Sequence, residues 1–171
     1  MAEDNSRFYF ERELSQITPC TEEEMEELFS RAGFGDKEAL SRLVEGNMFR
    51  VAEAAHYFSR NKIQYMDLIQ EGNMALFLFC SSEEFFDENT PYRMDNAIRE
   101  AMEDFILQEE DSEKASQELK NVLNLIDEVC VDLTDELDRE PTAEEVAAKI
   151  GRDPSDVRYL MRIALSAIKK D

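Results

Sequence analysis

The chain has 171 residues, 43% of them hydrophobic and 35% charged, with only 5 glycines and 4 prolines. This length allows one domain or two small ones, and the composition is typical of a helix-rich globular protein, which excludes collagen-like, low-complexity and fully disordered classes. The net charge is -21. Because DNA affinity depends largely on Lys and Arg, we expect the isolated chain to bind duplex DNA weakly.

Several kinds of site lack the residues they need. His56 is the only histidine, in a stretch typical of a packed helix, and Cys20, Cys80 and Cys130 are widely spaced. We therefore expect no catalytic residues, no metal site and no cofactor, and we interpret the cysteines as free thiols and His56 as a core or boundary residue. Short apolar runs and a charged N-terminus predict a soluble cytoplasmic protein with no membrane partner. We also expect that the protein is not an enzyme.

Capping residues and apolar spacing predict three helices in the first half. Thr21 is followed by Glu24 in a capping-box pattern, which predicts a helix from about Glu22 to Ala32. Asp36 is placed to cap a second helix that continues toward Phe58. A third helix follows a polar break and precedes an acidic loop at residues 81–90.

The second half is also predicted to be helical. Pro91 to Leu137 contains almost no helix breaker, although the polar stretch from Glu109 to Lys114 favours two helices over one. A second capping box at Thr142, a glycine turn and a helix beginning at Pro154 form a helix-turn-helix pattern. We therefore predict an all-α fold, with a helical bundle over residues 1–109 and a small three-helix domain over residues 110–171.

The segment Asp67-Leu-Ile-Gln-Glu-Gly-Asn73 resembles bacterial RNA polymerase sigma factors of the sigma-70 family. Four other segments resemble parts of that family in the same order along the chain: residues 8–14, 35–39, 98–101 and 139–164. The resemblance implies a sigma-like transcription factor whose first domain binds core RNA polymerase.

In that family this helix docks on the clamp helices of the largest polymerase subunit. The matching positions are Asp67, Leu68, Gln70, Glu71, Asn73 and Phe77. Two carboxylates one helical turn apart suit a basic coiled coil, and the two amides can supply directional hydrogen bonds. The alternative interpretation is a solvated helix face without a partner.

The regions that resemble the family's DNA-contacting surfaces depart from its pattern. Family members open promoters with a basic, aromatic helix that carries a Trp pair directly before Ile-Arg, where this chain has Asp95-Asn96-Ala97 and no Trp. Residues 83–111 contain 11 acidic and 2 basic residues, so we interpret Phe85, Phe86 and Tyr92 as packing residues rather than base-stacking residues. A basic DNA-contacting stretch of the family is replaced by residues 111–118, so both surfaces are predicted to be degenerate.

The C-terminal section is basic, with six Lys or Arg residues against two acidic ones between Lys149 and Lys170. Arg152, Arg158 and Arg162 are candidate nucleic-acid contacts. Alternatively, this basic face folds against the acidic middle of the chain. The family's last promoter-reading domain does not follow, so we expect promoter recognition by this chain alone to be incomplete.

Three functions remain open at this point. The first is a sigma-like factor that binds core polymerase with little promoter opening of its own and that touches DNA weakly or only within a complex. Such a factor would share the task with a second sigma-like chain, or it would occupy the clamp site and regulate other sigma factors by competition. The second is an anti-sigma protein or DNA mimic that uses a semi-ordered acidic loop at residues 83–111. The third is a working sigma factor whose DNA contacts come from the basic C-terminal face.

Overall fold

The computed structural model describes residues 2–59, 64–82 and 86–168, with side chains at 5–59, 64–82 and 86–162. These residues form helices and no strand, which confirms the all-α prediction. The helices are α1 Ala2–Leu14, α2 Glu22–Gly33, α3 Lys37–Phe58, α4 Tyr65–Ser82, α5 Thr90–Leu137, α6 Ala143–Ile150 and α7 Pro154–Ile168. The chain divides into two compact units, Met1–Glu109 and Glu110–Asp171.

The predicted caps start the first helices of the bundle. The Thr21 side chain accepts a hydrogen bond from the Glu24 backbone N–H, and Asp36 accepts from the N–H groups of Glu38 and Ala39. Each cap satisfies backbone donors that have no partner inside the helix. The predicted starts of α2 and α3 are therefore confirmed.

The first unit is built around one apolar core from α2, α3, α4 and the first part of α5. Its fully buried large side chains include Phe29, Leu43, Leu68, Leu76 and Ile98. Burying each such side chain contributes about 1.5–3 kcal/mol, so this core supplies the driving force that holds the four helices together. The core fixes which face of each helix is available to solvent.

The prediction of two helices between Pro91 and Leu137 is wrong, because α5 is continuous from Thr90 to Leu137. Every residue from 107 to 121 is exposed, yet the helix continues through this polar stretch. The stretch contains no Gly or Pro and is rich in Glu, Lys and Gln, which are good helix formers. Lys114 and Asp111 also form an i, i+3 ion pair at 3.2 Å. Polar composition alone therefore did not mark a helix end.

The second unit contains the predicted helix-turn-helix. Thr142 and Glu145 form both hydrogen bonds of a capping box at the start of α6. Gly151 ends α6 in the left-handed region, with φ 68°, a conformation that favours glycine. A small core packs α6 and α7 against the end of α5, through Ile126, Val129, Leu133, Val146, Ala147 and Val157.

Candidate functional site: the exposed face of α4

Helix α4 has one buried face and one exposed face. Leu68, Ile69, Gly72, Leu76 and Cys80 recur at intervals of one to four residues and are all buried. This spacing places them along one side of a helix with 3.6 residues per turn, where they join the core of the first unit. The other side of α4 is consequently presented to solvent.

We call the opposite side the α4 face and define it as Asp67, Gln70, Glu71, Met74, Phe77 and Leu78. Met74, Phe77 and Leu78 are 59%, 47% and 57% exposed, which is high for three large apolar side chains on one helix face. Gln70 is also exposed, while Asp67 and Glu71 are partly exposed. The face therefore combines apolar surface with two carboxylates and one amide, a mixture typical of protein interaction sites.

Four of the six predicted polymerase-binding residues lie together on this face: Asp67, Gln70, Glu71 and Phe77. Asn73 lies at its edge and is half-buried, and its Oδ1 is buried without a hydrogen-bond partner among the described residues. Leu68 does not lie on the face, because it is 0% exposed in the core. Leu68 can orient the helix, but it has no surface to offer a partner.

The α4 face carries negative charge that no neighbouring cation neutralises within the described part of the chain. Asp67 and Glu71 occur in none of the ion pairs formed by the described side chains. The two residues are one turn apart and therefore neighbours on the helix surface.

Gly72 explains how α4 approaches its neighbours so closely. A Cβ placed on Gly72 would lie 2.3 Å from Cε of Met102 and 2.7 Å from Cγ1 of Val51. Both distances are shorter than van der Waals contact, so a side chain here would have to displace the end of Met102 and would press on Val51 of α3. The glycine within the Asp67–Asn73 motif thus has a packing role on the buried side of α4.

A polar network occupies the place where the resemblance puts the DNA-melting residues. Nη1 of Arg50 donates to Oδ1 of Asp95 at 2.8 Å, and Nε of Arg50 donates to Oδ1 of Asn47 at 3.0 Å. Asn47 is fully buried and donates in turn to the Leu43 carbonyl. Asp95 therefore neutralises a largely buried cation of α3.

The three aromatic residues predicted to pack behave differently from one another. Phe86 is half-buried and its ring lies 6.0 Å from that of Phe29, as expected for a packing residue. Tyr92 is 67% exposed, so the prediction that it packs is wrong. It lies in the first turn of α5, two positions before the fully buried Met94. Phe85 lies outside the described residues.

The acidic segment also differs from its prediction as a semi-ordered loop. Residues 90–111 belong to α5, residues 86–89 form a short turn, and residues 83–85 lie outside the described part of the chain. Asp87 accepts from the Thr90 hydroxyl and the Asn89 N–H, which lowers the pKa of its carboxyl and holds the start of α5. Helix propensity prevailed over the high charge of this segment.

The predicted nucleic-acid residues of the second unit have neighbours within that unit. Arg158 forms an ion pair with Glu144, and the Arg162 guanidinium lies 5.5 Å from the ring centroid of Tyr159. Lys149 also pairs with Glu136, at 3.2 Å. Arg152 is exposed and takes part in none of the ion pairs of the described side chains. The acidic partners come from α5 and α6 of the same unit, while Lys169 and Lys170 lie outside the described residues.

The remaining residues considered for chemistry form no reactive site in the described part of the chain. Cys20, Cys80 and Cys130 are free thiols, as predicted, and burial raises the pKa of the Cys80 thiol to about 12. His56 is exposed rather than buried, because it lies on the solvent side near the end of α3, with Nδ1 3.1 Å from Nη2 of Arg7. Among the described side chains, no group of three potential metal ligands occurs.

Comparison with known proteins agrees with the resemblance of the Asp67–Asn73 motif. Residues 121–169 match the family described as Sigma-70 region 3. Over 165 residues, or 94% of this chain, the sequence is 32% identical to RNA polymerase sigma factor SigA of a Bacillus species. Over 141 residues, or 80% of this chain, it is 28% identical to RNA polymerase sigma factor RpoS of Coxiella burnetii.

The match defines a protein of the sigma-factor type. The chain belongs to the sigma-70 family, and the predicted resemblance is confirmed. The chain spans 43% of the length of the SigA protein and 39% of the RpoS protein. Among the helices of the described residues, none has the combination of length and hydropathy needed to cross a bilayer.

Proposed function

We propose that this chain is a sigma-70-like transcription factor that binds core RNA polymerase through the α4 face. The observation that carries the proposal is the exposure of Gln70, Glu71 and Phe77 on a helix whose other side is fixed in the core. A helix anchored in this way presents its contacts without a large ordering cost on binding. A non-enzymatic role in the cytoplasm follows from this function.

The chemistry of the α4 face suits the clamp helices of the largest polymerase subunit. Phe77, Met74 and Leu78 supply apolar area at the centre of the contact, and Asp67 and Glu71 supply charges for a basic coiled coil. The amide of Gln70 can add a directional hydrogen bond. Leu68 and Gly72 contribute by holding the helix in place rather than by touching the partner.

We further propose that the promoter-melting surface is degenerate. Arg50 is neutralised by Asp95, and the first part of α5 is rich in carboxylates. Phosphates would be repelled by this surface, and single-strand binding needs cations beside aromatic rings. Tyr57 with Arg99 at 5.5 Å is one such pair on the described surface. A second sigma-like chain could supply DNA contacts within a complex.

Affinity capture of core RNA polymerase tests this proposal. Wild-type protein is expected to retain the polymerase, whereas Gln70→Ala and Glu71→Lys should each reduce retention about tenfold or more, because both change a central contact. Glu26→Lys is a matched control, since Glu26 is exposed on α2 and the charge change is the same. No capture by the wild type, or equal loss for Glu71→Lys and Glu26→Lys, would show that the α4 face is not the binding site.

The anti-sigma or DNA-mimic function predicts a different result in the same assay. In that case the carboxylates of α5 would carry the interaction, and charge reversal at Glu103 and Asp104, both exposed, would abolish it. Under the polymerase-binding proposal, this double variant should retain polymerase as the wild type does. The two functions therefore predict opposite results for one variant.

A further inference from the structure

The second unit has an open groove along the side of α5 with a volume of about 440 Å³. We call it the α5 groove and define it by its lining residues: Leu123, Ile126, Asp127, Cys130, Val131, Thr134, Asp135, Glu140, Pro141 and Met161. The volume lies within the range of about 300–1,000 Å³ common for binding pockets. All of these residues belong to the second unit, and none of them belongs to the α4 face.

The base of the α5 groove is apolar. Ile126 is 3% exposed and anchors the base in the core of the unit, while Leu123, Cys130 and Met161 are half-buried and Val131 is 62% exposed. Apolar side chains are thus left partly open to water along two turns of α5. A partner that covers them would gain about 25 cal/mol for each Å² of apolar surface removed from water.

The rim of the α5 groove is acidic. Asp127, Asp135 and Glu140 line it, and none of the three occurs in an ion pair among the described side chains. Nearby acids behave differently, because Glu136 and Glu144 pair with basic residues of the same unit. Around an apolar base, the groove therefore has three carboxylates that form no ion pair with any described side chain.

We propose that the α5 groove binds a basic amphipathic helix of a partner protein, with apolar residues on the base and Lys or Arg side chains against the rim. Charge complementarity selects this occupant. A nucleic acid would bring phosphates to three carboxylates, and a second copy of this chain would bring a net charge of -21 to another -21. A helix with residues i, i+3, i+4 and i+7 on one face matches a groove that follows a helix.

Binding of a synthetic peptide tests the proposal without RNA polymerase, so its outcome is independent of the function proposed above. The probe is a fluorescent helical peptide of Leu and Lys with one apolar face, measured by anisotropy with the full chain. Each of two control peptides keeps only one of these features. One has Glu in place of Lys and keeps the apolar face, and the other has the same residues in an order without an apolar face and keeps the positive charge. Only the Leu and Lys peptide with one apolar face should bind, and neither control peptide should.

Variants of the chain distinguish the groove from general attraction to an acidic protein. Asp127→Asn with Asp135→Asn should weaken binding about fivefold, since two rim contacts to cations are lost. The matched control is Glu109→Gln with Glu118→Gln, two exposed acids of α5 outside the groove, which should change affinity less than about twofold. Equal weakening by both pairs, or binding of the scrambled peptide, would overturn the proposal.

Cys130 provides a second readout, because a peptide seated in the groove would cover its thiol. It lines the groove, and burial together with nearby Asp127 raises the pKa of its thiol, so alkylation is followed at mildly alkaline pH. Bound peptide should slow the alkylation of Cys130 and leave that of Cys20 in the first unit unchanged. Unchanged alkylation of Cys130 at saturating peptide, or a dimer of the chain that excludes the peptide, would contradict the proposal.

Discussion

Arg50 of α3 and Asp95 of α5 are joined by a hydrogen-bonded ion pair of 2.8 Å across 45 positions of sequence. The Arg50 side chain is only 16% exposed, and its Nε is held by the fully buried Asn47. The pair connects two helices of the core of the first unit. Arg50 thereby has a charged partner where its side chain has little access to water.

Replacing Asp95 should destabilise the packing of α3 against α5. In Asp95→Ala the guanidinium of Arg50 loses its charged partner while it remains largely buried. We expect the free energy of unfolding to fall by about 1–2 kcal/mol. This value lies between those for exposed and buried ion pairs, because Asp95 itself is partly open to water. Amide hydrogen exchange of α3 peptides, followed by mass spectrometry, measures this change.

The control for Asp95→Ala is Asp111→Ala. Asp111 also pairs with a cation, Lys114, but the two side chains are 80% and 69% exposed. We expect Asp111→Ala to lower the free energy of unfolding by less than about 0.5 kcal/mol. Equal exchange in α3 for wild type and Asp95→Ala would mean that the pair contributes no stability.

Gly72→Ala should disturb the core behind the α4 face. The new Cβ would overlap the end of Met102, which can move, and Cγ1 of the β-branched Val51, which has less freedom. Overpacking of this kind costs about 1–3 kcal/mol. Urea unfolding of the first unit, monitored by hydrogen exchange in α4, should show this decrease in the free energy of unfolding. Gln70→Ala on the exposed side should leave the free energy of unfolding within about 0.5 kcal/mol of the wild-type value. Unchanged stability in Gly72→Ala would show that the helices have room to separate.

The capping box of α6 should make the second unit sensitive to acid. The Arg139 guanidinium and the Thr142 N–H, both bonded to Glu145, lower the pKa of its carboxyl from an ordinary 4.5 to about 2. Because the pKa is lower in the folded state, the stabilisation is complete above pH 4.5 and is lost as the pH falls toward 2. An NMR titration of the Glu145 carboxyl carbon measures the pKa directly.

Glu145→Gln gives the matching control for that titration. The amide can keep part of the cap but does not titrate, so thermal unfolding of the second unit should depend less on pH between 4.5 and 2 than in the wild type. Identical pH dependence in the two proteins would contradict a role for Glu145.

The isolated chain should bind duplex DNA only weakly. Arg158 is paired with Glu144, and the net charge is -21, so few cations are available to release counterions. We expect a dissociation constant weaker than about 0.1 mM at physiological salt, measured by fluorescence anisotropy with a short labelled duplex. Micromolar affinity that is lost when Arg152, Arg158 and Arg162 are changed to Ala would favour a rebuilt DNA-binding face instead.

Local signals in the sequence were sufficient for much of the fold. Thr21, Asp36 and Thr142 predicted helix starts because a capping residue acts on backbone groups only two or three positions away. The continuous α5 was missed because a polar stretch was treated as a break, although it contains no residue that ends a helix.

Contacts between distant residues could not be predicted in the same way. The pairing of Arg50 with Asp95 depends on how α3 and α5 pack, and the burial of Leu68 depends on which side of α4 meets the core. The helical spacing of Leu68, Leu76 and Cys80 was a signal that could have placed Leu68 inside. The α5 groove had no local signal, because its lining comes from α5, α7 and the segment before α6.

Site-specific photocrosslinking from the α4 face is the most direct measurement of the central claim. A photoreactive amino acid at position 77, where Phe77 is 47% exposed, should crosslink to the largest subunit of core RNA polymerase. The same group at Leu107, which is 59% exposed on α5, should give little or no product with that subunit. Crosslinking from position 107 but not from position 77, or from neither, would contradict binding through the α4 face.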